Sequence, residues 1–476
     1  IIFSNIFLVT IASGVHLFPS RTQKLRHLTP TIVYAKIGSC QDFFCFIFYD
    51  IITKNWLFFS IDNRTIVLYN IDKKGGTMSR IIFHIDVNNA FLSWTAVYLL
   101  KEGYKKDIRK IPAVIGGDEK QRRGIVLAKS PIAKRYGIVT AETLYSARKK
   151  CGWLEVFPPN YPFYVEQSKK LYNYLASYTP NIEQYSIDEC FLDMTGTSLL
   201  YGNDYLKLAY KIKNEIKEKY GFTVNVGIGE NKLCAKMASD FEKPDKVHTL
   251  YMNEIETKMW PLPVNDLFML GRSSAKRLEE LGIKTIGDLA KCSPTFLRKH
   301  FKKQGDYFLE ASKGIDYSPV VPKSDKNKCI SISRTLPYDY TKKEELEKVL
   351  FDEVESVTFD LRRKKLYAKT VAITYRNFLF KNYSHQMTID NPTNSTNDIY
   401  NQVLVLFTRS WREDPIRNIG VRLSDLTDEK KEQMSIFDNA EKKEVNEVEK
   451  VMDEIINKFG RDSVKFASKS TKKSKN

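Results

Sequence analysis

The chain has 476 residues, 42% of them hydrophobic and 28% charged, with a formal net charge of +18 and a pI near 9.3. That length allows several domains. The positive excess points to a polyanionic partner, nucleic acid before membrane, because no apolar run from residue 78 onward approaches the length of a span. Seven cysteines without a CxxC pair and only six histidines argue against a zinc site, and reduced thiols place the chain inside the cell.

Residues 1–77 differ from the rest. They contain no Glu, are dense in Ile, Phe, Tyr and Asn, and end in Lys73-Lys74-Gly75-Gly76-Thr77. Codons for Lys-Lys-Gly-Gly can spell a purine-rich AAAGGAGG tract, which resembles a bacterial ribosome-binding site. The expectation is an upstream region that is not translated, with synthesis starting at Met78; a leader is the competing reading. The intact mass of the native protein tests it. Without this segment the net charge is still +14, so the basic signal belongs to the body.

Arg80–Val87 reads as a central strand, apolar on both faces but for an acid, Asp86, near its end. Residues 88–100 follow with apolar residues at helical spacing. Short strands at 111–115 and 124–128 and short helices at 131–136 and 141–150 make a small basic unit inserted after the first strand. A helix over 164–178 leads to the stretch Tyr185-Ser186-Ile187-Asp188-Glu189-Cys190-Phe191. Two adjacent carboxylates stand there in an apolar, β-prone hairpin. Neighbouring residues on a flat strand face opposite sides, so Asp188 and Glu189 converge only at a turn or bulge. An amphipathic helix over 204–220, a strand over 222–229 and a helix over 231–241 complete an α+β sheet with helices on one face.

If the fold brings Asp86 beside Asp188 and Glu189, the three cannot all ionise without a cation. Oxygen ligands suit Mg²⁺ or Mn²⁺. Two such ions about 4 Å apart suit in-line displacement at phosphorus. Lys134, Arg135 and Lys243 are candidate triphosphate contacts.

Beyond Pro244, Leu270–Leu278 and Leu281–Leu289 form two glycine-containing loop-and-helix units. Glycine at a helix start leaves backbone N–H groups free to meet a phosphate, and Gly271, Lys276 and Arg277 form a helix–hairpin–helix grip on a DNA backbone. A polar linker over 318–327 precedes an α+β domain. Its strands are expected at 331–335, 370–375 and 419–423, and its helices at 343–361 and 397–411. The run Arg362-Arg363-Lys364-Lys365 within it suits a duplex backbone. After Asp428 the chain is highly charged and expected to be disordered; within it stands Gln433-Met434-Ser435-Ile436-Phe437.

From Met78 to about residue 437 these stretches resemble, in family order, a Y-family DNA polymerase of the bacterial DinB/UmuC type. His84–Phe91 resembles the first catalytic strand, Ser130–Gly137 the fingers motif and Tyr185–Glu189 the catalytic hairpin. Val226–Lys236 with Glu242-Lys243-Pro244 resembles the block closing the palm, and Gln433–Phe437 the sliding-clamp-binding peptide. The resemblance implies an α+β multidomain right hand with a ferredoxin-like palm. The palm spans 78–243 with fingers at about 89–151. A helical thumb follows at 244–317, a linker at 318–327, a little finger at 328–427 and a charged tail at 428–476.

It further implies that Asp86, Asp188, Glu189 and the carbonyl of Val87 hold two Mg²⁺ (or Mn²⁺). Phe91 would be the steric gate against a ribose 2′-OH, and Lys134 and Lys243 would contact the triphosphate. The implied activity is low-fidelity translesion synthesis on primer–template DNA with deoxynucleoside triphosphates. The implied setting is a monomer in the cytoplasm, nucleoid-associated, working with the sliding clamp in DNA repair. Four positions depart from the common pattern: Asn88 replaces an acid, Ala90 replaces an aromatic before the gate, and Pro131 and Lys134 replace Tyr and Arg. Lysine lacks the bidentate fork of arginine. Two other readings are a catalytically weak, clamp-associated DNA-binding paralogue and a metal-dependent nuclease.

Overall fold

The structure is a computed structural model that describes residues 80–120, 122–322, 327–428, 440–460 and 463–464, together with four strand backbones before them. The chain divides into two compact units at Arg80. In the first, Thr31–Val33 (β1), Phe44–Asp50 (β2), Asn55–Asp62 (β3) and Thr65–Ile71 (β4) form an antiparallel sheet in chain order. Among the described residues no helix is long and apolar enough to cross a membrane.

The second unit starts with Ile82–Val87 (β5), buried throughout. Asn89, at φ 46°, turns the chain from this strand into Ala90–Lys101 (α1); asparagine tolerates that left-handed conformation. The inserted unit comprises Ala113–Gly116 (β6), Val126–Lys129 (β7), Pro131–Arg135 (α2), Leu144–Lys150 (α3) and Glu155–Phe157 (β8). The chain then returns through Tyr161–Ala176 (α4), Ile182–Gln184 (β9) and Glu189–Asp193 (β10). Ser198–Tyr201 (α5), Tyr205–Tyr220 (α6), Val224–Gly229 (β11), Lys232–Asp240 (α7) and Val247–Leu250 (β12) complete it. The sheet order is β12-β11-β5-β10-β9, with β5 at the centre.

Helices cover both faces of this sheet, not one. Phe83, Ile85 and Val87 alternate with Val224, Val226 and Ile228 to bury one face against α4 and α6. The opposite face takes α7, and Gly227 and Gly229 let it lie close. A Cβ on Gly227 would stand 2.0 Å from the Ala235 carbonyl oxygen, and one on Gly229 2.7 Å from the Ala235 nitrogen. Gly227→Ala should therefore cost about 3 kcal/mol or more, because backbone has to shift to admit the methyl. Thermal unfolding checks this; a melting temperature within a degree of the parent would remove the close-packing account.

Arg272–Glu280 (α8), Ile286–Ala290 (α9), Pro294–Phe301 (α10) and Lys303–Ser312 (α11) form a helical body whose core also takes in Leu233, Met237 and Ala238 of α7. The last body contains Cys329–Tyr340 (β13), Lys343–Arg363 (α12), Tyr367–Asn377 (β14), Asn382–Thr393 (β15), Thr396–Ser410 (α13) and Ile416–Thr427 (β16). Its sheet order is β13-β16-β14-β15, with α12 and α13 on one face. The turn between β6 and β7 reaches this body, where Arg122 meets Asp339 at 2.6 Å.

The four strands β1–β4 escaped the sequence reading, as did β8, β12 and β15 in the second unit. The twelve-residue β15 is an edge strand of polar composition, with little apolar alternation to mark it. The tail also differs from the expected disorder. Ala440–Phe459 (α14) is helical, and Glu449 and Asp453 seat it on the last body. The Gln433–Phe437 peptide lies outside the described residues.

Candidate active site

Asp86 and Glu189 are direct register partners across β5 and β10. They share the face that packs on α7. Asp188 precedes β10, in the hairpin turn. There Tyr185 and Ser186 both donate N–H groups to the Glu189 carbonyl, at 3.0 and 3.2 Å. Two residues, Tyr185 and Ser186, thus oppose Glu189 across the turn. The Ser186 hydroxyl donates to Asp188 Oδ1 at 2.6 Å, and the Val87 N–H donates to the Asp188 carbonyl at 3.1 Å. Strand end and turn are therefore tied.

Burial pushes the Asp86 and Asp188 carboxyls above the usual range, and each is raised further by another acid of the trio. Two lysines answer that charge. Lys243 Nζ contacts Asp86, and Lys236 Nζ donates to Glu189 Oε1 at 2.8 Å. Asp240 bridges the two ammonium groups, at 2.8 Å from Lys243 and 3.2 Å from Lys236. Although burial opposes it, the Asp86 charge raises both lysines. Lys236 escaped the sequence reading; its position one helical turn before Asp240 was the available signal.

Among the described residues, no three acidic, histidine or cysteine side chains converge as a ready ligand set. The lysines explain this, since they draw Asp86 and Glu189 onto themselves. The donor set still fits a hard divalent cation. It is all oxygen, its acids are desolvated, and positive charge already sits on two of them.

Asn88 is buried, and its side chain meets Asn225, the register partner of Asp86. Its amide donates to Asn225 Oδ1 at 3.0 Å, and its Oδ1 accepts the Asp245 N–H at 2.9 Å. It thus fastens the end of β5 to the loop that carries Lys243. Phe91 stacks on Tyr164, with ring centroids 4.8 Å apart and planes 15° from parallel. The Tyr164 hydroxyl is held by Thr95 Oγ1 at 2.6 Å. Pro131 occupies the first turn of α2 behind the Ser130 cap, a position suited to proline. Lys134 is exposed on α2, and its charge joins burial in lowering the nearby Lys129.

The expected DNA contacts fare unequally. α8 begins at Gly271 without a side-chain cap, and a Cβ there would meet nothing within 4 Å. That helix start is open to phosphate. The next unit is closed: Thr285 and Asp288 cap α9 reciprocally, and the Asp288 carboxylate holds the Thr285 N–H at 2.9 Å. Lys276 lies on α8, where Arg277 pairs with Glu280 at 3.2 Å.

Arg362 is not free for DNA, since it binds Asp453 at 2.6 Å and Glu449 at 3.4 Å. Arg363 pairs with Asp360 at 3.4 Å and Lys364 donates to Asn327 at 2.8 Å, while Lys365 is exposed. The last sheet offers a better surface. Its core side chains all point to α12 and α13, and its other face carries Ser331, Ser333, Thr374, Gln386, Arg376 and Arg422. Small polar residues around two exposed arginines suit a phosphate backbone.

Comparison with known proteins agrees with this geometry. Residues 85–240 match the impB/mucB/samB family and residues 327–436 its C-terminal domain. Residues 265–316 match the thumb domain described for DNA polymerase-iota. A DNA polymerase IV of Clostridium acetobutylicum is 48% identical over 383 residues, covering 80% of this chain and 96% of that one. DNA polymerase IV 2 of Bacillus subtilis is 35% identical over 389 residues, with 80% and 92% covered. A solved Y-family DNA polymerase chimera of Dbh and Dpo4 superposes with a TM-score of 0.63 at 25% identity, covering 72% of this chain and 98% of that one. With its paired strands, its hairpin acids and these relatives, the chain belongs to the DinB type of the Y-family DNA polymerases.

Proposed function

We propose that this protein is a DNA-directed DNA polymerase for translesion synthesis, acting in DNA repair and damage tolerance. It joins a deoxynucleotide to a primer 3′-OH. The 3′-oxygen bonds to the α-phosphorus, the bond from that phosphorus to the bridging oxygen breaks, and pyrophosphate leaves with the hydroxyl proton passed to solvent. The observation that carries the reading is the register pairing of Asp86 with Glu189 beside the turn that presents Asp188.

Asp86, Asp188, Glu189 and the Val87 carbonyl would hold two divalent cations, Mg²⁺ or Mn²⁺. When bound, these lower the pKa of the attacking hydroxyl and neutralise charge on the leaving phosphates. The chain's own residues do the rest. Lys243, 39% exposed on the rim, is free to move from Asp86 to the triphosphate, while Lys236, 10% exposed, stays as the counter-ion of Glu189. Lys134 adds positive charge from the fingers. Phe91 forms the floor under the sugar.

The open start of α8, with Lys276 and Arg277, grips the duplex backbone on the thumb side. The uncovered sheet face, with Arg376 and Arg422, grips it from the little finger. Gln433–Phe437 takes a sliding clamp, and the protein works as a monomer. Arg376→Ala and Arg422→Ala should each lower the salt slope of DNA binding by about 1. Arg362→Ala should leave that slope unchanged, because its charge is committed to α14. Titrations at several salt concentrations check both; equal slopes for all three variants would return the basic run to the interface.

Primer extension with Mg²⁺ on undamaged and lesion-bearing templates tests the function. Extension of both supports it. Strand cleavage without extension would select a nuclease.

A further inference from the structure

The hairpin joining β14 to β15 ends in Phe378-Leu379-Phe380, which are 43%, 69% and 60% exposed. None of the three belongs to the core beneath the sheet. The tip is nevertheless rigid. Asn377, 2% exposed, uses its Oδ1 to accept the N–H groups of Leu379 and Lys381, at 3.1 and 3.0 Å. Its backbone exchanges bonds with Lys381 and Phe380, each at 3.0 Å, and the Phe378 N–H donates to the Pro415 carbonyl at 3.0 Å. A buried polar side chain thus fixes a turn whose apolar side chains stand outside the core.

Cations stand close by. The Arg417 guanidinium lies 4.8 Å from the Phe380 centroid, and the Lys381 ammonium, next in the chain, lies over the Tyr383 ring at 5.4 Å. Arg376 is exposed on the open sheet face immediately before the turn. The nearby acid, Asp414, accepts from Asn377 Nδ2 at 3.4 Å. Aromatic faces interleaved with arginine and lysine suit unpaired nucleic-acid bases, which every sequence can stack.

Position narrows the choice. Ile416 is the register partner of both Asn377 and Tyr340. The tip therefore sits at the sheet end where Asp339, beside Tyr340, meets Arg122 of the fingers. In the polymerase reading above the thumb side takes finished duplex, and template not yet copied would then lie toward the fingers. The tip is also continuous with the proposed duplex-binding face.

We propose that Phe378 and Phe380 form a stacking platform for the single-stranded template ahead of the active site. The proposal rests on the polymerase reading above. Its test is the double variant Phe378→Ala/Phe380→Ala in the full chain, using fluorescein-labelled duplexes that are either blunt or extended by a ten-base 5′ template overhang. The variant should bind the overhang DNA about tenfold more weakly than the parent, with blunt-duplex affinity within about twofold. Phe378→Trp/Phe380→Trp should keep the overhang affinity, whereas Phe378→Leu/Phe380→Leu should lose it.

Unchanged overhang affinity in the alanine variant overturns the platform, as does an equal loss on both duplexes. Intact DNA binding with loss of clamp-stimulated synthesis also overturns it, in favour of a protein partner. Failure of the parent to extend any primer would sink the polymerase reading instead. Normal extension with unaltered overhang binding sinks the platform alone.

Discussion

Asp188→Asn should lower primer extension by about a thousandfold or more, roughly 4 kcal/mol of transition-state stabilisation, while leaving the fold as stable as the parent or more so. Both halves come from the same geometry. Burial and the Asp86 charge push the Asp188 carboxyl up. In the metal-free protein its ionised form is therefore disfavoured by the fold. A carboxyl raised in this way lowers stability as pH climbs through its unfolded and then its folded range. Asparagine removes that charge at neutral pH, keeps the shape and can still accept the Ser186 hydroxyl seen at 2.6 Å. Extension assays with Mg²⁺ and thermal melts in EDTA measure the two halves separately. Robust extension would remove Asp188 from catalysis. A large loss of melting temperature would show that the side chain serves the hairpin and not the chemistry. Sites that trade stability for activity behave in the first way.

Much of this site was legible in the chain because the acids break an apolar pattern. Asp86 stands next to the end of a strand that is buried throughout, and Asp188-Glu189 interrupt an apolar hairpin, so acids in such settings demand a counter-charge. What the sequence did not disclose lies in pairings between distant elements. Lys236 reads as one polar residue on an amphipathic helix until α7 is laid on β5 by Gly227 and Gly229. Arg362 reads as DNA-facing until α14 delivers Glu449 and Asp453 from about ninety residues away. The open sheet face was hidden for another reason: Ser, Thr, Gly and Gln alternate with core residues, and an exposed polar face looks the same whether it meets water or DNA. Asn88 shows the converse. A departure from the common acid is a structural amide that positions the lysine loop.

Phe91→Ala should raise ribonucleotide incorporation relative to deoxyribonucleotide by about a hundredfold or more, with little change in use of the deoxy substrate. The ring can act as a wall because it is braced. It stacks on Tyr164, Tyr161 stands edge-on to it at 6.3 Å, and the Tyr164 hydroxyl is pinned to Thr95, whose own hydroxyl donates to the Phe91 carbonyl at 2.7 Å. A side chain held in this way cannot swing aside for a 2′-OH, so rejection is steric. Alanine leaves Tyr164 in place and opens a gap the hydroxyl can enter. Loss of the ring removes a stacked pair worth about 1 kcal/mol beyond its area, so the variant should remain folded. Competing dCTP and CTP on one primer–template, with products separated by length and alkali sensitivity, measure the ratio directly. Phe91→Tyr keeps the wall and should keep the discrimination. Unchanged sugar choice in Phe91→Ala would move the gate elsewhere, whereas loss of activity on both sugars would make Phe91 a support for the fold of α1.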